Sequence, residues 1–277
     1  MSTRPADPGV EAVELELLLE GVFRRYGYDF RHYARASLKR RISGFLPGEK
    51  LATLSALQER LLRDPACFAR WLLAVTVNVS AMFRDPGFWL GFRQQVAPLL
   101  RTYPSLRLWC AGASTGEEVY SLAILLEEEG LYGRCQLYAT DLNEAVLEKA
   151  REGIFPLAAM KEHTANYLKA GGRRAFSEYY TAAYDLAIFR PELREQVLFA
   201  QHSLVSDASF GEFQAILCRN VLIYFDRALQ GRAHELFYES LCPLGFLCLG
   251  AQESIQFSPR EKEYDLFHAE KIYQKVR

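Results

Sequence analysis

The chain has 277 residues, half of them hydrophobic and 24% charged, with a formal net charge of −1. That length suits one large domain or two modest ones, and that composition buries a substantial core, which excludes a disordered, collagen-like or linker chain. No apolar run approaches the roughly 18 residues that span a bilayer, and the N-terminus lacks the basic-then-apolar pattern of a signal peptide. The expectation is a soluble, cytoplasmic protein, not membrane-embedded.

The first 74 residues read as helices. Glu14–Tyr26 forms one, and Phe30, Ala34, Leu38 and Ile42, recurring every four residues, mark a second. LATLSALQERLLRD, behind the breaker Pro47-Gly48, is a third, and CFARWLLAV a fourth. This part carries 12 Lys/Arg against 9 Asp/Glu, while the remainder carries 21 against 25. Within residues 24–41 seven basic residues face a single acid, Asp29. A basic patch on a near-neutral chain points to a specific acidic partner rather than to bulk affinity for nucleic acid.

TVNVSAMFRDP, residues 76–86, follows. Thr76, Asn78, Ser80 and Arg84 make a polar comb on an apolar stretch, and Asp85-Pro86 reads as a helix start. Such residues either cap helices or line a cleft. From about residue 105 short apolar runs alternate with helical stretches. LRLWCAG precedes STGEE and the helical VYSLAILLEEEG; CQLYATD precedes the helical NEAVLEKAREG. VLFAQH, FQAILCRN and FLCLGAQES are further strand candidates, with a helix over 227–241. This alternation predicts a parallel sheet with helices on both faces. Residues 153–200 are too long for a simple crossover; with Gly171-Gly172 and the β-like pieces YDLAIF and VLFA they suit a small antiparallel insertion.

None of the six cysteines forms a C-x-x-C pair, and four sit in apolar runs, so they read as buried thiols of a reducing compartment. The five histidines are scattered, and no metal site is expected. CAGASTGEE followed by ATD is the strongest local signal. A glycine-rich turn after a first parallel strand lets the backbone approach a ligand closely, and an acid ending the next strand can take both ribose hydroxyls. Asp141 lies 25 residues after Gly116, a suitable distance. The arrangement serves nicotinamide dinucleotides and S-adenosylmethionine alike. However, the spacing is G-x-x-x-G, and Glu117-Glu118 stands where a pyrophosphate would dock. Carboxylates there favour a ligand with an ammonium and a sulfonium group; the plain alternative is a tight turn with a solvated glutamate pair. In ILCRNVLIYFD, a strand ends at Arg219-Asn220. Asn220 can donate and accept, while Tyr224 and Phe225 beyond it can equally be core aromatics.

TVNVSAMFRDP, WCAGASTGEEVYSLA, ATDLNEAVLEKAREGIF, ILCRNVLIYFD and GFLCLGAQES, in that order from about residue 22 to 275, resemble the chemotaxis-receptor methyltransferase (CheR-type) family. The resemblance implies a helical domain over 1–75 and, over 76–277, a Rossmann-like α/β methyltransferase domain with a small antiparallel β-subdomain inserted at about 160–200. It implies transfer of a methyl group from S-adenosylmethionine to glutamates of chemoreceptor cytoplasmic domains, leaving S-adenosylhomocysteine. Matched residue by residue, it places Asn78, Ser80, Arg84, Gly112, Glu118, Asp141, Ser203, Leu204, Arg219 and Asn220 at the cofactor. It places Arg84 and Tyr224 at the reacting centre. Met82, Val119 and Ser203 depart from the family's usual phenylalanine, proline and asparagine; Ser203, being shorter, weakens one cofactor hydrogen bond. Because glutamate is ionised at neutral pH, no general base is needed.

Arg31, Arg35 and Lys39 repeat at i, i+4 and i+8, with Arg40 farther round, and this helix is the expected receptor-docking face. A solvated polar face is the bland alternative. Other classes fit less well. A nucleic-acid methyltransferase would need an N/D-P-P-Y-type pocket that is missing, and a non-catalytic cofactor-binding regulator is disfavoured by Arg84 and Tyr224. A monomer is expected.

Overall fold

The computed structural model describes residues 9–76 and 80–276. The chain divides into two compact units. Residues 9–76 and the segment Tyr224–Leu229 make one, and the other described residues make the second.

The first unit is helical: α1 (Val10–Tyr26), α2 (Arg35–Phe45), α3 (Leu54–Arg63) and α4 (Pro65–Val75). Local chemistry sets the ends. Gly27, at φ 80°, stops α1 in the left-handed conformation and returns its N–H to Phe23 O. Thr53 caps α3 through the Ala56 N–H, and Asp64 caps α4 through Ala66 and Cys67 N–H, with Pro65 opening that helix. Leu15, Leu18, Leu19, Val22, Leu57, Leu61 and Trp71 are buried. The helix expected from Phe30 begins only at Arg35. Asp29 Oδ1 accepts the Arg31 N–H at 3.1 Å, and Ala34 N–H donates to Tyr224 O at 2.8 Å, beside an antiparallel bridge between Tyr33 and Phe225. Those bonds, with the Tyr33 N–H on Phe30 O at 3.1 Å, hold residues 30–34 in a turn and a bridge, so at Phe30 the four-residue spacing records burial rather than helix.

The second unit opens with α5 (Pro86–Gly91), a π-helical turn (Phe92–Val96) and α6 (Ala97–Leu100). It continues through β1 (Leu106–Ala111), α7 (Glu117–Glu128), β2 (Cys135–Asp141) and α8 (Glu144–Glu152). Next come β3 (Ile154–Pro156), α9 (Met160–Lys169), β4 (Tyr180–Ala183) and β5 (Leu186–Phe189). The last elements are β6 (Val197–Gln201), β7 (Phe213–Cys218), α10 (Arg227–Ser240, whose first residues belong to the helical unit), β8 (Leu241–Leu249), β9 (Tyr264–His268) and β10 (Ile272–Lys275). The main sheet runs β6-β2-β1-β7-β8-β10-β9. Its first five strands are parallel, with Leu108 beside Leu137 and Ala215. The sheet is mixed rather than wholly parallel, because β10 pairs antiparallel with β8 and β9.

The small sheet β3-β5-β4 is antiparallel, as expected of an insertion. VLFA is not part of it; these residues form β6, the parallel edge strand beside β2. Three consecutive glutamates at the end of α7 tie the insertion down. Buried Glu128 accepts from Tyr167 Oη at 2.5 Å, Tyr179 Oη at 2.9 Å and Arg93 Nη2 at 2.6 Å, while Glu127 takes Arg190 and Arg174.

Candidate functional site

Strand order reverses between β1 and β7: the chain winds through β2 to β6 on one side and through β8 on the other. At such a switch point the loops leaving neighbouring strand ends diverge and open a crevice. The loop after β1 is shaped by backbone bonds. Gly112 and Ala113 N–H both donate to Thr140 O at 2.8 Å, and Ser114 N–H donates to Asp141 Oδ2 at 2.9 Å. Gly112 and Gly116 have φ of 84° and 99°. A Cβ on Gly112 would stand 2.4 Å from Val221 Cγ2, so both conformation and space require glycine there.

Asp141 ends β2. Its second oxygen accepts the Asn143 N–H at 3.0 Å, and Asn143 in turn caps α8 by accepting the Ala145 N–H. Burial pushes the Asp141 carboxyl above its ordinary 3.8, against the downward pull of the Asn143 and Ser114 N–H groups. An ionised carboxylate has about four acceptor positions, and the N–H groups of Asn143, Ser114 and Leu142 do not use them all.

Glu118, in the first turn of α7, is also pushed up by burial; Arg219 pulls it back and Glu253 adds to the rise. Arg219 is almost wholly buried. Its Nη1 reaches Glu118 Oε2 at 3.2 Å, and its Nη2 reaches Asp85 Oδ2 at 2.8 Å and Arg84 O at 3.1 Å. The guanidinium carbon lies 4.1 Å over the Phe88 ring. Its side chain therefore organises the protein around it. Arg84 is exposed, between two left-handed residues, Phe83 at φ 51° and Asp85 at φ 56°. Its carbonyl also accepts Trp89 Nε1–H at 3.0 Å, and the Phe83 N–H is held by Ser121 Oγ at 2.9 Å.

Asn220 is left-handed at φ 62°. The N–H groups of Asn220, Val221, Leu222 and Gly250 all donate to the buried Glu253 carboxylate, at 2.9, 2.8, 2.7 and 2.6 Å. Ser203 caps a turn after β6: its Oγ accepts the N–H groups of Val205 and Ser206 at 3.2 Å. Leu204 is buried beside it and Ser80 is half-buried. Asn78 lies outside the described residues. The helical unit holds Tyr224, whose ring sits 4.8 Å under the Arg41 guanidinium.

The basic residues of that unit are engaged locally. Arg31 precedes α2 and bonds Asp29 and Glu20; Arg35 reaches Glu16 at 3.3 Å and Lys39 reaches Glu11 at 2.7 Å. Of the four expected docking residues, Arg40 is exposed and, among the described residues, has no ion-pair partner. Sequence reasoning missed Glu253 and Asp85. Glu253 had one signal, an acid just past the end of the apolar run FLCLG.

Comparison with known proteins agrees with this geometry. The model of the CheR methyltransferase SAM-binding domain matches residues 78–271, and that of the CheR methyltransferase all-alpha domain matches residues 13–76. A protein of Pseudomonas putida, provisionally named methyltransferase Cher3, is 52% identical over 264 residues, 95% of this chain and 97% of its own length. A chemotaxis protein methyltransferase of Listeria innocua is 34% identical over 236 residues, 84% of this chain and 87% of its own. Among solved structures, PKMT2 from Rickettsia typhi in complex with AdoHcy is 16% identical with a TM-score of 0.36, covering 63% of this chain and 26% of that one, too distant to rest anything on.

The residues fit S-adenosylmethionine. Asp141 keeps acceptor capacity for a ribose hydroxyl, and among the described residues the buried Ser114 Oγ next to it has no hydrogen-bond partner. Glu118 and Asp141 make the edge anionic, which suits a sulfonium and an ammonium and repels a pyrophosphate. The chain belongs to the CheR methyltransferase family, a family of S-adenosylmethionine-dependent enzymes, and its cofactor is S-adenosylmethionine.

Proposed function

We propose that this protein methylates glutamate side chains in the cytoplasmic domains of chemoreceptors, forming glutamyl methyl esters. The observation that carries this reading is Arg84: an exposed guanidinium at the crevice, on a backbone fixed by two left-handed neighbours and two buried donors to its carbonyl. An exposed cation on a fixed stretch of backbone suits an anionic substrate group. When bound, the cofactor supplies an electrophilic methyl group on a sulfonium. A glutamate, with a reference pKa of about 4.3, arrives ionised, so the protein removes no proton and has only to orient the carboxylate and exclude water. Arg84 orients it through one oxygen and leaves the other free to attack. The two family domains span the chain, and the chemotaxis methyltransferase name of the Listeria relative points to receptors as substrate. Among the described residues no helix is long and apolar enough to cross a membrane. The cytoplasm is the proposed place of action.

Incubation with labelled cofactor and a glutamate-bearing receptor fragment should yield a base-labile methyl ester; the absence of ester on any such fragment would refute the reading. Arg84→Ala should lower kcat about a hundredfold, the scale of losing substrate orientation, with a smaller loss of cofactor affinity by calorimetry. Near-normal turnover would remove Arg84 from this role.

The α2 stripe is the proposed docking face. Its charges are already paired with α1, and exposed pairs contribute only about 0–1 kcal/mol each, so an acidic helix can displace them. Reversing Arg35 and Lys39 to Glu should raise the apparent KM for receptor several-fold and flatten its salt dependence, with cofactor affinity untouched. If KM responds neither to the reversal nor to salt, docking lies elsewhere, with the inserted sheet as the next surface to test.

A further inference from the structure

Glu253 lies in the loop after β8, is 4% exposed, and accepts four hydrogen bonds. Oε2 takes the N–H groups of Asn220 and Gly250; Oε1 takes those of Val221 and Leu222. Those four bonds use the carboxylate's acceptor capacity, so it has none left for a ligand. Three of the donors belong to the turn that follows β7, where Asn220 is left-handed, and Arg219 immediately precedes them. Arg219 is the residue that reaches Glu118, Asp85 and the Arg84 carbonyl. The carboxylate therefore pins one end of a connected chain of contacts running Glu253, Asn220 turn, Arg219, Glu118.

Gly250 completes this junction. A Cβ there would stand 2.8 Å from Asn220 N and 2.7 Å from Glu253 Oε2. The turns after β7 and β8 approach so closely that only a glycine and a shared acceptor can join them.

We propose that Glu253 is a positioning residue for cofactor binding: it holds the Asn220–Leu222 turn, and through Arg219 the crevice face of Glu118, without touching the cofactor. This rests on the assignment of the crevice as the cofactor site. Glutamine cannot replace it, because its amide would turn two N–H donors toward backbone N–H donors. Charge distinguishes positioning from mere support. The charged and titratable groups facing Glu118 are Arg219 from the end of β7, Arg84 from the loop before α5, Glu253 from the loop after β8, and the thiols of Cys110, Cys218 and Cys248 from β1, β7 and β8. Removing the Glu253 charge removes a like neighbour, so Glu118 should protonate at a lower pH.

The test is calorimetric titration of the full chain with S-adenosylhomocysteine across the acid range, for wild type, Glu253→Gln, Gly250→Ala and Asp141→Asn. Glu253→Gln should weaken binding at least tenfold and move the acid fall-off in affinity to lower pH. Gly250→Ala should weaken binding comparably by wedging the turns apart. Should Glu253→Gln fail to fold, Gly250→Ala decides: a loss supports the proposal and wild-type affinity overturns it. A folded Glu253→Gln that melts earlier but keeps wild-type affinity and fall-off overturns it. Asp141→Asn separates the two readings. Its loss beside an unchanged Glu253→Gln leaves the site standing and defeats the positioning role, whereas wild-type affinity in Asp141→Asn defeats both.

Discussion

Asp141→Asn should weaken S-adenosylhomocysteine binding by roughly 1.5–3 kcal/mol for each ribose hydroxyl bond it loses, the usual worth of a hydrogen bond to a charged group. Each 1.4 kcal/mol is about tenfold in affinity. The wild-type carboxylate receives a backbone N–H on each oxygen, from Ser114 and from Asn143. An asparagine matches its shape but presents a donor to one of those N–H groups, so the loop itself also loosens. The pH response should have two opposed signs. Burial holds the Asp141 and Glu118 carboxyls above their ordinary 3.8 and 4.5 in the folded protein. A raised carboxyl pKa favours folding below the unfolded value, and that contribution is lost as pH rises through the folded value. Cofactor-free protein should thus gain from mild acid at these two sites. Cofactor affinity should fall over the same range, because a protonated carboxyl surrenders an acceptor. Calorimetry at several pH values checks both; affinity that stays flat through the whole acid range in which the protein remains folded would remove Asp141 from the ribose.

Arg219→Met should be the most destabilising single change at the crevice. It keeps the packing against Phe88 but strands Glu118 and Asp85, both paired to this guanidinium. Removing one partner of a buried ion pair costs about 3–5 kcal/mol, because the remaining charge has no compensation. In a domain of roughly 150–250 residues each kcal/mol lowers Tm by about 2–4 °C. Lysine should rescue little, since a point charge cannot serve three acceptors set out for a planar fork. Without Arg219 the Glu118 carboxyl should rise further. The stability gap to wild type should then narrow as pH falls and Glu118 takes up a proton. A gap that stays constant from neutral pH to below 4.5 would mean that Glu118 is not the stranded charge.

The residues explain why some of this was legible in the sequence. LRLWCA and FQAILC are buried at all but one position, covered on both faces, so they read as near-continuous apolar runs. YDLFH and IYQK form the outer hairpin and are partly solvated, and that short mixed pattern concealed the antiparallel edge. MKEHTANYLK buries only Met160, His163 and Tyr167, too sparse a stripe to announce α9. At the site, Asp141 and Glu118 stood out as acids at a strand end and a helix start. Glu253 did not, because its four partners are backbone N–H groups, which leave no trace in side-chain identity. The pairing of Arg35 and Lys39 with Glu16 and Glu11 joins residues 19 and 28 positions apart, beyond any local pattern.

All six cysteines are unpaired and buried. Burial pushes the thiols of Cys67, Cys110, Cys218, Cys242 and Cys248 up, and that of Cys135 up to about 12. The thiolate is the reactive form, so an alkylating reagent should label none of them until the surrounding structure opens. Their placement turns the chain into its own clock. Cys67 lies in α4 of the helical unit, whereas Cys110, Cys135, Cys218 and Cys248 lie in β1, β2, β7 and β8. Timed alkylation read peptide by peptide in a mass spectrometer would give separate opening rates for the helices and for each strand. Added cofactor should slow the strand thiols, and whether Cys67 slows with them measures how far its hold extends.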